Sequence, residues 1–116
     1  MDRLRSFVYA IAGLKIFFQT EHNSWIHLFA ACLAVILGKL IHLNNYEWCL
    51  VITAIGLVLV AEIFNTAIES LTDLVSPGYN EMAKKVKDLS AAAVLVAAIS
   101  ALCIGLFVFW PKIFNI

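Results

Sequence analysis

Glu62, Asn65, Glu69 and Asp73 are spaced three and four residues apart in an otherwise apolar stretch. At about 100° per residue on an α-helix they fall within roughly 80° of one another, so three acids and an amide form one polar stripe. A charge at membrane depth costs on the order of 2.5 to 3.5 kcal/mol, so the stripe must face protein or water rather than lipid. Two further groups fall near its polar end. Glu21 precedes an apolar run that begins at Trp25, and Lys87-Asp88, with Lys84 and Lys85 nearby, precedes the longest uncharged run of the chain. Hard divalent cations are held by one or two carboxylates together with phosphate oxygens, and a lysine is a compact point charge for phosphate. These residue types therefore suit a divalent cation and a polyphosphate. Glu21 taken alone also fits an interfacial carboxylate facing water, and Lys84 and Lys85 read as an anchor to anionic lipid.

The elements that position these groups follow from composition. Of 116 residues 63% are hydrophobic and 14% charged, with a mean hydropathy of +0.93, more apolar surface than a water-soluble domain this short can hide. Eight basic and eight acidic side chains cancel, so no net field points to nucleic acid. Cys32, Cys49 and Cys103 stand singly in apolar stretches and read as small hydrophobes. The N-terminus lacks a cleavage site behind an apolar core, so no signal peptide is expected.

Leu89 to Trp110 carries no charge and is long enough for a hydrocarbon core of about 30 Å. Trp110 and Pro111 are expected to close that span, and Glu81 to Asp88 to form a short charged segment ahead of it. Trp25 to Leu43 is a second span, in which Lys39 snorkels. A third starts at Trp48 and runs on into the polar stripe. Arg3 to Gln19 has apolar residues at helical spacing, as in an amphipathic helix lying on the membrane. The expected architecture is an all-α membrane protein, one domain over residues 1–116, with three spans and an interfacial helix. Arg3, Arg5, Lys15, Lys84, Lys85 and Lys87 fall on one side and Lys39 and Lys112 on the other, which places the N-terminus and the site in the cytoplasm. No P-loop, kinase glycine loop or H-R-D is present.

The stretch Ala61-Glu62-Ile63-Phe64-Asn65-Thr66-Ala67-Ile68-Glu69, followed by Asp73 and, eighteen residues after Glu69, by Lys87-Asp88 and the Ala91-Ala92-Ala93-Val94-Leu95 run, resembles the small bacterial membrane family of diacylglycerol and undecaprenol kinases. With Tyr9, Gly13, Glu21, Asn23 and Ile26-His27 the resemblance covers nearly the whole chain. It implies a homotrimer in the bacterial inner membrane with active sites shared between subunits, using ATP and Mg²⁺ to phosphorylate a lipid alcohol. It further implies that Glu62 is the general base, that Glu21 and Glu69 are metal ligands with Asn65 beside them, and that Lys87 and Asp88 bind nucleotide. Gly78, Tyr79 and Asn80 match an ATP-contacting loop, and Tyr9 an N-terminal nucleotide contact. Asp2 stands where better-known members carry a basic ATP contact, leaving Arg3 as the nearest candidate. Trp25 replaces an Arg of many relatives, and His27 a Glu of the proteobacterial type. The Glu-x-Asn-x-x-Ile-His pattern of residues 21 to 27 leans toward the undecaprenol-kinase branch. A proton-coupled exporter, with the intramembrane glutamates binding and releasing protons, is the alternative drawn from the acids alone.

Overall fold

The computed structural model describes residues 2–115, which form four helices: α1 (Arg3–Thr20), α2 (Ser24–Leu40), α3 (Asn45–Val75) and α4 (Glu81–Phe114). At about 1.5 Å per residue, α3 and α4 reach roughly 46 and 51 Å, well beyond a hydrocarbon thickness of about 30 Å. Both helices therefore outreach the hydrocarbon core by about three turns or more. α3 and α4 pack against each other as an antiparallel pair, and α2 lies against α3. α1 and α2 meet at a bend of 106°, which turns α1 out of the bundle direction as an interfacial helix requires. Phe17 and the Phe18–Trp25 contact, centroids 5.6 Å apart, hold that corner.

The core is small. Phe17, Leu43, Val51, Ala54, Ala97 and Val108 are buried, whereas Leu95, Val96, Ile99, Leu102 and Phe107 are exposed. A single chain with so much apolar surface open is stable only where hydrocarbon or another subunit replaces water. The molecule is thus an all-helical membrane protein, as its composition indicated.

Local chemistry sets the helix ends. α2 stops at Leu40, earlier than the hydropathy alone suggests, because the Leu43 and His42 N–H groups turn back to the Gly38 and Lys39 carbonyls with His42 at φ 58°. This is the Schellman arrangement, with histidine in the left-handed position that usually takes glycine. Asn44 and Glu47 form a capping box at the start of α3, each side chain accepting from the other's backbone N–H at 2.9 Å. Lys112 then joins Glu47 at 3.2 Å, tying the last turn of α4 to the first of α3.

The charged segment Glu81 to Asp88 forms the first turns of α4 itself, started by the Asn80 side chain, which accepts from the Met82 and Ala83 N–H groups. One expectation about α4 is corrected. Pro111 does not end the helix, which runs to Phe114 before Asn115 turns left-handed. So near a terminus a proline removes one hydrogen bond, and the Trp110–Phe114 ring contact at 4.6 Å and the Lys112–Glu47 pair hold the final turn.

Gly38 is buried where the turn folds back, and a Cβ there would lie 2.8 Å from Trp48 Cη2 and 2.9 Å from Leu43 Cδ1. Gly38→Leu is expected to destabilise the protein by about 1 to 3 kcal/mol, read as a lower thermal midpoint in detergent; an unchanged midpoint would contradict this packing. The Asn44 backbone N–H holds the Glu47 carboxyl below the usual 4.5, opposed by partial desolvation and reinforced by Lys112. A depressed folded value means the stabilisation is complete above 4.5 and is lost as the pH falls through that lower value. Glu47→Gln should therefore flatten the acid limb of the stability curve, measured by thermal melts across that range.

Candidate active site

The middle of α3 carries the stripe inward, as its spacing required. Glu62 is 8% exposed, and its Oε1 lies 2.8 Å from His27 Nε2, one turn into α2. With Glu62 as the carboxylate, which can only accept, Nε2 is the donor of this contact. One turn along, the Thr66 hydroxyl reaches both the Glu62 carbonyl oxygen at 3.0 Å and Glu21 Oε2 at 3.3 Å. This contact brings the carboxylate ahead of α2 onto the stripe. Ser24, fully buried, donates to the Glu21 carbonyl at 2.6 Å and fixes the turn from which Glu21 projects.

α4 supplies the third wall. The buried Ser90 donates to Asn65 Oδ1 at 2.5 Å, and Asn65 Nδ2 donates to Glu69 Oε1 at 2.6 Å. The serine thus sets which way the amide points: its oxygen is engaged from α4, and its NH₂ group is directed at Glu69. Further toward the end of the helix, Lys87 Nζ meets Asp73 Oδ1 at 2.6 Å. Asp73 raises the Lys87 ammonium above its ordinary 10.5, against slight desolvation and with a smaller contribution from Glu69. Lys87 is therefore fully charged at neutral pH, a requirement for holding phosphate.

A cavity of about 360 Å³ opens here, lined by Gly78, Tyr79 and Asn80 of the α3–α4 loop together with Asp73, Lys87 and Asp88. All five loop and α4 residues expected to contact nucleotide thus border one space. Lys87 and Asp88 are not paired to each other; Asp88 is joined to Lys84 at 2.6 Å, an i,i+4 pair. The Asn80 side-chain oxygen is committed to capping α4. Arg3 and Tyr9, exposed on α1, do not line this cavity.

Among the described residues no three acidic, imidazole or thiol side chains gather closely enough to hold a metal by themselves. Glu21 reaches Thr66, and Glu69 lies about one turn beyond that residue on α3; both offer the hard oxygens that a divalent cation takes. A second space of about 470 Å³ runs between α2, α3 and α4, lined by residues such as Ala30, Ala34, Val51, Ala54 and Gly105, with His27 its one polar side chain among the described residues. The His27–Glu62 pair thus stands between an apolar groove and a polar cleft. His27, Thr66 and Ser90 are not among the four residues whose spacing marks the stripe. Their partners lie on other elements, although a lone histidine in an otherwise apolar α2 was a signal that the buried acid had a mate.

Residues 8–109 match the model of the prokaryotic diacylglycerol kinase family. The chain is 39% identical over 109 residues to an undecaprenol kinase of Bacillus subtilis, covering 94% of this chain and 89% of that one. It is 38% identical over 114 residues to a diacylglycerol kinase of Synechocystis, covering 97% and 65%. A diacylglycerol kinase of Escherichia coli is 33% identical over 81 residues, 70% of this chain and 66% of that one. These similarities lend no support to an exporter. A match over nearly the full length, on a helical frame that gathers the acids and the lysine of the resembling motif, means that the chain belongs to the prokaryotic diacylglycerol kinase family and is a lipid kinase.

Proposed function

We propose that the chain transfers the γ-phosphate of ATP to the hydroxyl of diacylglycerol or undecaprenol, the acceptors for which its relatives are named. The observation that carries this reading is the continuity of α3. A buried carboxylate at Glu62 leads through Asn65 and Glu69 to the Asp73–Lys87 pair and a loop-lined cleft. An alcohol entering from the apolar side and a nucleotide entering from water thus approach the same helix face. Phosphoryl transfer requires placement and charge relief more than covalent help. Glu62 accepts the hydroxyl proton as the oxygen attacks. Lys87 neutralises phosphate oxygens, and Gly78, Tyr79, Asn80 and Asp88 border the nucleotide. Glu21 and Glu69 would hold a Mg²⁺ brought by ATP, which would supply charge neutralisation to the phosphate oxygens.

The same reading places three spans in the bacterial inner membrane, with residues 1–116 forming one domain and the N-terminus and cleft cytoplasmic. The distribution of lysine and arginine supports that orientation. A homotrimer would cover the exposed apolar faces of α3 and α4 and bring a neighbour's Arg3 and Tyr9 toward a cleft that this chain's own α1 leaves unlined.

Purified protein with Mg-ATP and a panel of lipid alcohols is expected to phosphorylate one of the two named kinds. Glu62→Gln should lower turnover by about 10² to 10⁴-fold with its oligomeric state intact; wild-type-like turnover would remove Glu62 from the base role. Glu21→Ala and Glu69→Ala should each demand more Mg²⁺, and unchanged titrations in both would overturn the ligand assignment.

A further inference from the structure

The hydrogen bond across α2 and α3 has no part in the scheme above, yet it engages the group on which the chemistry depends. Glu62 presents two carboxylate oxygens. Oε1 is taken by His27 Nε2 at 2.8 Å, and among the described residues Oε2 has no hydrogen-bond partner. The Glu62 side chain is 10% exposed and that of His27 26%, so the contact is largely shielded from competing water. The histidine is itself held by its position. It sits one turn after the buried Ser24, whose hydroxyl anchors the start of α2 to the Glu21 carbonyl, and its own N–H bonds to the Asn23 carbonyl at 3.2 Å.

We infer that His27 is a positioning residue for Glu62: by occupying Oε1 it fixes the carboxylate rotamer and leaves Oε2 as the oxygen that receives the proton of the acceptor alcohol. A glutamate side chain has three rotatable bonds, and the last, between sp³ and sp² carbons, is broad. One charge-assisted hydrogen bond from a neighbouring helix removes that freedom. His27 is also the polar end of the apolar groove between α2, α3 and α4. A lipid hydroxyl whose hydrocarbon lies along that groove arrives at His27, the residue hydrogen-bonded to Glu62. No proton leaves His27 in this scheme. Its Nε2–H is a donor in both the neutral tautomer that carries it and the protonated ring, so the contact does not depend on the charge of the imidazole.

The inference rests on Glu62 being the base, and the test separates the two. ATP-dependent phosphorylation of diacylglycerol and undecaprenol is measured for wild type, His27→Leu, His27→Asn and His27→Gln in the same lipid mixture. His27→Leu is expected to lower kcat by about 10²-fold, the scale of a misplaced catalytic group, with KM for ATP unchanged. Glutamine places an amide NH₂ where Nε2 stands and should recover most of the loss. Asparagine, one carbon shorter, should not, and it carries the test if the leucine variant fails to assemble. Wild-type kcat in the leucine or asparagine variant, or a glutamine variant no better than these at unchanged KM for ATP, would overturn the positioning role. An inactive wild type on both lipids would instead overturn the acceptor reading on which the inference stands.

Discussion

A carboxylate cannot be left in hydrocarbon, and the arrangement of this protein follows from that constraint. Glu62 lies in a helix whose other faces are apolar, and a charge there costs on the order of 2.5 to 3.5 kcal/mol unless protein meets it. α2 meets it with His27 at 2.8 Å. A hydrogen bond to a charged group contributes about 1.5 to 3 kcal/mol, comparable to the cost of placing the charge. Two helices that share no other side-chain hydrogen bond among the described residues are thereby held in one register, and Thr66, one turn on, finds Glu21.

The same helix grades from one solvent to another. Glu62 is buried, Asn65 is partly covered and bonded to Ser90, and Glu69 and Asp73 are exposed. A single polar face thus begins in protein-covered hydrocarbon and ends in water beside Lys87. The length of α3 makes this possible, because a helix of 31 residues outreaches the hydrocarbon core by about three turns. A lipid kinase needs such a face, since its two substrates arrive from phases that do not mix.

Much of this was legible in the chain itself. Uncharged runs gave the spans, because hydropathy reports the solvent directly, and the three- and four-residue spacing of Glu62, Asn65, Glu69 and Asp73 gave the stripe, because helical geometry is fixed. What escaped were pairings between helices. His27 and Glu62, Glu21 and Thr66, and Asn65 and Ser90 lie 35, 45 and 25 residues apart, and periodicity within one helix does not say which side chain of the next stands opposite. Pro111 misled for a different reason. Its cost depends on how many hydrogen bonds remain beyond it, and at the last turn the Trp110–Phe114 contact and Lys112 outweigh the one that is lost.

The central claim is that the acidic face of α3 points to protein at its inner end and to water at its outer end, never to lipid. A nitroxide scan of positions 61 to 73 in bilayers, comparing collisions with dissolved oxygen and with a water-soluble nickel chelate, reads that directly. Oxygen accessibility should dip at 62, 65 and 69 with a helical period, while chelate accessibility rises from 62 toward 73. Oxygen maxima at 62 and 69 would place the acids among acyl chains and contradict the account.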